Sequence, residues 1–166
     1  MTQIIPVETP QAIETVAALA RDIWTRHYTP IIGVAQVAYM LEKFQSAPAI
    51  QAQIASGYEY YLVTEATVPA GYLALVPNLS EGRMMLSKLY ILPERQGQGL
   101  GKAAMAFAIR RCADLGLRKL WLTVNKRNDR TIAFYTSAGF VRVEAVATDI
   151  GGGFVMDDYI MARDVP

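Results

Sequence analysis

The 166-residue chain lacks most features that would place it in an easily recognised class. It has one cysteine, Cys112, so no disulfide forms within the chain. It has one histidine, His27, so there is no His/Cys cluster of the kind that holds zinc, and no metal is expected. Neither sign of charge dominates: 16 Lys and Arg stand against 15 Asp and Glu, for a net of +1. That balance removes the usual electrostatic reason to bind nucleic acid. No apolar run reaches the roughly 18 residues of a membrane span. Met1-Thr2-Gln3 has neither the basic nor the apolar stretch of a secretory leader, so a reducing cytoplasm is the expected setting. Repeats, low-complexity tracts and long linkers are also missing, and one domain over 1–166 is expected. What remains is a chain that is 52% hydrophobic and 19% charged, long enough to bury a core.

The hydrophobic pattern changes period along the chain. Thr9-Pro10 reads as an N-cap followed by proline at the first helical position, and Ile13, Val16, Ala17, Ala20, Ile23 and Trp24 then recur at helical spacing. Helices are predicted over 34–44 and 46–55, with Gly57 closing the second. Strand formers then dominate 58–63, 72–76 and 84–92, with turns expected at 68–71 and 78–82. A helix over 99–115 presents Leu100, Ala104, Phe107, Ala108, Cys112 and Leu115 as one stripe, which puts the cysteine in the core. A strand over 119–124, a helix capped by Asn128 and ending near Ala138, and two strands over 140–146 and 154–162 complete the chain. This order gives an α/β (α+β) fold, a mixed sheet with helices packed on it.

The most informative segment is Tyr90-Ile91-Leu92-Pro93-Glu94-Arg95-Gln96-Gly97-Gln98-Gly99-Leu100-Gly101-Lys102. A strand runs into a glycine-dense turn that opens a helix. The first amides of a helix lack partners and carry partial positive charge, and glycines let a phosphate approach them. The segment is not a P-loop: Gly97 to Gly101 is one residue short, and Ala103 stands where Ser or Thr belongs. Gly99, Gly101 and Ala104 match a dinucleotide fingerprint, but the next strand ends in Asn125-Lys126-Arg127, not in an acid for a ribose.

Gln96, Gly99 and Gly101 resemble the pyrophosphate loop of the GNAT acetyltransferase superfamily, in which Gln or Arg is followed at fixed spacing by glycines between a strand and a helix. Asn128-Asp129-Arg130-Thr131-Ile132-Ala133-Phe134-Tyr135, closed by Gly139-Phe140, resembles a second block of that family. The resemblance covers about 58–162. It implies a mostly antiparallel sheet of six to seven strands with one splayed pair, around Tyr90 and Trp121. It also implies acetyl-coenzyme A as cosubstrate, with the amides of Gln96, Gly97, Gln98, Gly99, Leu100, Gly101 and Lys102 on its pyrophosphate. Leu89, Tyr90 and Ile91 would pair with the pantetheine arm, Asn128 would bond to that arm, and Tyr135 would protonate the leaving thiolate. Lys126, Arg127 and Arg130 either meet the 3′-phosphate or form a solvated face.

The family's usual glutamate base is missing from 83–92, which leaves Glu59, Tyr90, Asp157, Asp158 or a water chain. The resemblance places the acceptor against Trp24, His27, Tyr28, Ile31, Tyr39 and Met40 and the Asp157-Asp158-Tyr159 run. Aromatic faces and acids together suit a cationic small-molecule amine such as a polyamine. A peptide or protein amine, a non-catalytic acetyl-coenzyme A sensor and a nucleotide-dependent oxidoreductase stand as alternatives. A homodimer through the closing strands is a further expectation.

Overall fold

The computed structural model describes all 166 residues. The chain opens with β1 (Thr2–Pro6) and continues through α1 (Pro10–Ile32), α2 (Val34–Phe44) and α3 (Ala47–Ala55). Next come β2 (Glu59–Glu65), β3 (Val68–Asn78), β4 (Arg83–Ile91), a single 3-10 turn (Pro93–Arg95) and α4 (Leu100–Asp114). It closes with β5 (Lys119–Asn125), α5 (Asp129–Ser137), β6 (Val141–Gly151) and β7 (Phe154–Asp164). The seven strands form one sheet in the order β1-β2-β3-β4-β5-β7-β6. Every neighbouring pair is antiparallel except β4 and β5.

Local chemistry explains most of these elements. Thr9 caps α1, its Oγ1 accepting from the Ala12 amide at 3.1 Å, and Pro10 follows at the first position. The apolar stripe of α1 buries Val16, Ala17, Ala20, Ile23 and Trp24. α1 to α3 lie on one face of the sheet, over Tyr60, Leu62, Tyr72 and Ala74. α4 and α5 lie on the other, over Val63, Leu73, Leu75 and Leu86, with Cys112 buried between.

The structure corrects three expectations. β1 is an additional strand, pairing along β2 from Thr2 with Glu65 to Pro6 with Tyr61. The turn expected at 68–71 lies at Ala66 and Thr67, which take positive φ of 50° and 68°. Gly71 instead serves a close approach inside β3, since a Cβ there would fall 2.3 Å from the Tyr90 carbonyl oxygen. Asn128 stands at the start of α5 but makes no capping bond; the preceding turn is held by Asn125, whose Oδ1 accepts from the Arg127 amide at 2.9 Å.

One irregularity shapes the site. β4 and β5 pair only at Arg83–Lys119, Met84–Leu120 and Met85–Trp121. Immediately beyond, the β3–β4 register shifts: Leu75 faces Leu86 but Ala74 faces Lys88, leaving Ser87 as a bulge. A bulge bends its strand and raises its twist. From that point β4 leaves β5, and the sheet opens into a gap. The phase of β4 also inverts. Met84 and Leu86 pack toward α4, whereas Lys88 and Tyr90 face the side of α1 to α3, beside Ala74 and Tyr72. At the far side of the sheet β6 forms an exposed edge, with Val141 65% and Val143 60% accessible.

Candidate active site

Two cavities meet at the gap. The first encloses about 450 Å³ between the glycine turn and α5, bounded by His27, Leu89, Gly97, Gly99, Lys102 and Arg130. Its floor is backbone. Gly97 and Gly99 adopt φ of 79° and 83°, a conformation open to glycine at little cost. Gln96 braces the turn by donating Nε2 to the Ile91 carbonyl at 3.2 Å. The amides of six consecutive residues, Gly97 to Lys102, have no partner, since backbone bonding stops at Gln96 and resumes at Ala103. α4 has no side-chain cap. Six unpartnered amides leading into the start of a helix, with Lys102, Arg95 and Arg130 around them, fit the chemistry of a pyrophosphate.

The second cavity, about 290 Å³, lies on the other side of the gap, walled by α1, α2, α3, β4, β5, α5 and β7. Trp24, Tyr28, Met40, Tyr90, Lys88 and Asp158 face it. Tyr28 and Tyr90 bring their hydroxyls to 3.4 Å, and the Trp24 ring packs edge-on to Tyr90 at 5.5 Å. The two cavities share Leu89, Thr131 and Tyr135. Tyr135 is 7% exposed, and its hydroxyl makes no hydrogen bond within the protein although both cavities reach it. Burial pushes its phenol well above the usual range, so it stays protonated and can act as a donor.

Asp158 is the acidic group of the second cavity. It is 5% exposed and makes no hydrogen bond or ion pair within the protein. Burial first, and the neighbouring Asp157 second, push its carboxyl up to about 6. It is therefore ionised at neutral pH yet basic enough to accept a proton.

The other candidate bases separate cleanly. Glu59 is bound by the Arg111 guanidinium at 3.0 and 2.8 Å and by the Tyr61 hydroxyl at 2.9 Å; it borders neither cavity, and Arg111 holds its carboxyl below the usual range. Asp157 points outward to Lys126 at 2.8 Å and, contrary to the expectation that it meets the acceptor, does not line the second cavity. Tyr90 is held well above the ordinary phenol range by burial, which removes it as a base at neutral pH.

The remaining sequence-based candidates distribute unevenly. Tyr39, expected at the acceptor, borders neither cavity and donates its hydroxyl to the Ile150 carbonyl at 2.8 Å. His27, also expected at the acceptor, lies on the glycine-turn side, its ring edge-on to Tyr28 at 4.7 Å and its pKa lowered by burial. Ile31 yields its expected position to Ile32, one residue on along α1. Gln98 offers its amide, but its side chain is exposed and outside the cavity lining. Arg130 faces the first cavity, whereas Lys126 and Arg127 do not. Asn128 is 3% exposed beside His27 and Tyr28, and its Nδ2 is a buried donor without a partner. Lys88 was not among the expected residues. The only sequence signal was a lysine inside an otherwise apolar strand.

Comparison with known proteins gives the family and the fold. The profile of the acetyltransferase (GNAT) family matches residues 18–140, and the chain belongs to that family. An uncharacterized N-acetyltransferase of Mycobacterium bovis is 35% identical over 95 residues, which cover 57% of this chain and 60% of that protein. This chain thus matches less than two thirds of that relative's length. The fold is shared with PaiA N-acetyltransferase of Thermoplasma acidophilum, solved in complex with coenzyme A, at a TM-score of 0.80 and 19% identity over 99% of both chains. It is shared too with the ribosomal-protein-S18-alanine N-acetyltransferase of Escherichia coli, at a TM-score of 0.75 and 22% identity over 99% of this chain and 94% of that one.

Proposed function

We propose that the protein transfers the acetyl group of acetyl-coenzyme A to a primary amine of a small molecule, by direct attack of that amine. The observation that carries this reading is Tyr135, a protonated phenol without a protein partner among the three residues that the cavities share. Acetyl-coenzyme A supplies an activated thioester. The unpartnered amides of Gly97 to Lys102 hold its pyrophosphate, with Lys102 and Arg130 adding charge. The edge of β4 freed by the splay, from Leu89 to Ile91, offers its backbone to the pantetheine arm; Asn128, buried at the start of α5 and lining neither cavity, is set against that arm by the family resemblance. Tyr135 donates its proton to the departing sulfur.

An alkylamine has a pKa of about 10.4 in water, so it is protonated at neutral pH and must lose that proton to attack. Asp158, in the acceptor-side cavity and titrating at about 6, takes it. An amide of the splayed β4 faces the charge that develops on the carbonyl oxygen. Cys112 takes no part: it is fully buried in the core, its Sγ donates to the Leu117 carbonyl at 3.6 Å, and burial pushes its thiol up. A free phenol at the junction also favours catalysis over a purely sensing role. The second cavity, at about 290 Å³, has room for a small acceptor, and a peptide amine is the second class to test.

The test is thiol release from acetyl-coenzyme A with a panel of small amines and peptides, comparing wild type with Tyr135→Phe. The expected result is turnover on one amine class, a loss of about 100-fold in kcat in the variant, and acetyl-coenzyme A affinity within about twofold. Failure of the wild type to bind acetyl-coenzyme A in calorimetry would overturn the reading.

A further inference from the structure

The acceptor-side cavity holds a second ionisable group that the chemistry above leaves unused. Lys88 is 8% exposed, on the stretch of β4 that the Ser87 bulge turns toward α1 to α3. Its Nζ lies 3.3 Å from Gln53 Oε1 and 3.3 Å from Ser87 Oγ, above the faces of Tyr58 at 5.3 Å and Tyr60 at 5.4 Å. None of the protein's ion pairs involves it. Lysines are rarely buried without a carboxylate, because a desolvated charge without a counter-ion is costly.

The surroundings are built for a cation and leave part of it free. Gln53 cannot reorient, since its Nε2 donates to the Phe44 carbonyl at 2.9 Å and its Oε1 also accepts from the Tyr60 hydroxyl. An ammonium carries three donors, and two of them are engaged. Trp24, in the same cavity, has an indole N–H that is buried and makes no hydrogen bond. Burial lowers Lys88 to about 8, so the group is still mostly charged at neutral pH and is short of an anion. Asp158 is not that anion: it makes no ion pair with Lys88, and neither group contributes to the other's titration.

We propose that the acceptor carries a carboxylate as well as the reacting amine, with Lys88 binding the carboxylate and Asp158 facing the amine. The proposal rests on the assignment of this cavity to the acceptor. One cavity with a buried cation on one wall and a buried anion on another is complementary to a zwitterion. A polyamine would set a second positive charge against Lys88, and a simple alkylamine would leave Lys88 without its anion. A buried charge left unpaired by the wrong ligand is a strong source of discrimination.

The experiment measures kcat/KM for matched sets of acceptors of increasing chain length, each set comprising an amino acid, its methyl ester and the diamine of equal length. Wild type, Lys88→Met and Lys88→Arg are compared, with thermal unfolding confirming that each variant is folded. The expected result is a preference of about tenfold or more for the amino acid over its ester in the wild type, a ratio near one in Lys88→Met, and partial recovery in Lys88→Arg. Equal or better turnover of esters or diamines by the wild type overturns this inference and leaves acetyl transfer standing. If no acceptor turns over while acetyl-coenzyme A binds, calorimetric titration of the same acceptors into the coenzyme A-loaded protein decides it. Amino acid binding that is lost in Lys88→Met supports the inference, and binding indifferent to the carboxylate overturns it. Failure to bind acetyl-coenzyme A is the separate result that removes the underlying function.

Discussion

The two cavities that meet at Tyr135 are made of different material. The glycine-turn cavity is also walled by His27 of α1 and Arg130 of α5, but its recognising groups come from one continuous stretch of chain, the main-chain amides from Gly97 to Lys102. The acceptor-side cavity is built from side chains on seven elements, from Trp24 in α1 to Asp158 in β7. A backbone cradle needs a particular conformation and tolerates little change at its glycines. A side-chain cavity can be re-lined one residue at a time while the sheet beneath it stays the same. The same fold can therefore keep one cosubstrate and exchange acceptors.

If the two halves of the site do separate jobs, damage to each should be separable. The largest effect is expected from Asp158→Asn, which removes the proton acceptor. kcat/KM for the acceptor should fall by about 100-fold or more, with acetyl-coenzyme A affinity within twofold. In the wild type the same parameter should rise with pH through an inflection near 6, because Asp158 is pushed up to about 6 and works only when ionised. That inflection should vanish in the variant.

The linked stability effect has the opposite direction. Asp158 holds its proton more tightly folded than unfolded, so between its unfolded value near 4 and about 6 the folded state binds more protons. Stability contributed by the neutral carboxyl is lost as pH rises through that window. Asp158→Asn should therefore raise the unfolding midpoint at pH 7.5, corresponding to roughly 1–3 kcal/mol. A midpoint that falls would break the account of Asp158 as a destabilised, functional acid.

A smaller effect on the other side is expected from Gly99→Ala. Its φ of 83° costs an L-residue about 1–2 kcal/mol, which corresponds to a loss of roughly tenfold in acetyl-coenzyme A affinity as the cradle relaxes. Acceptor preference should not change. A shift in acceptor preference would show that the cavities are not separable. The smallest effect is expected from Asp157→Asn. It breaks an exposed pair with Lys126 and removes the lesser of the two causes that push Asp158 up, so it should change both affinities by less than about twofold and move the Asp158 inflection slightly down, read in the same assays.

The same contrast explains what could be read from the sequence. The glycine turn and its unpartnered amides were legible because the glycines are a local signal. The segment 34–44 was predicted as a helix and is α2, because apolar spacing and a flanking glycine agree there. β1 escaped because its five residues, Thr-Gln-Ile-Ile-Pro, do not alternate and are identified as a strand only by pairing with β2. Asp157 and Asp158 could not be told apart in advance, since neighbours on a strand face opposite sides and the sequence does not say which is inward. Lys88 escaped for a sharper reason. By parity it belongs with Met84 and Leu86, and only the Ser87 bulge reverses its direction. A bulge arises from pairing with another strand and has no local pattern of its own.

The three rungs between β4 and β5 lead to a mechanical point. With so few pairs, the halves β1-β2-β3-β4 and β5-β7-β6 resemble the arms of tongs, joined at Arg83–Met85 and Lys119–Trp121. Away from that joint a strap runs across: Tyr39 and Lys43 of α2 both hold the Ile150 carbonyl, and Gln36 holds that of Val155 at 3.1 Å. α2 packs on α1 and α3, α1 lies on β3 of the first arm, and the carbonyls belong to the second. The two arms are thus tied at the joint by the sheet and away from it by α2, and Tyr39, which touches neither cavity, is one of three side chains that make the second tie.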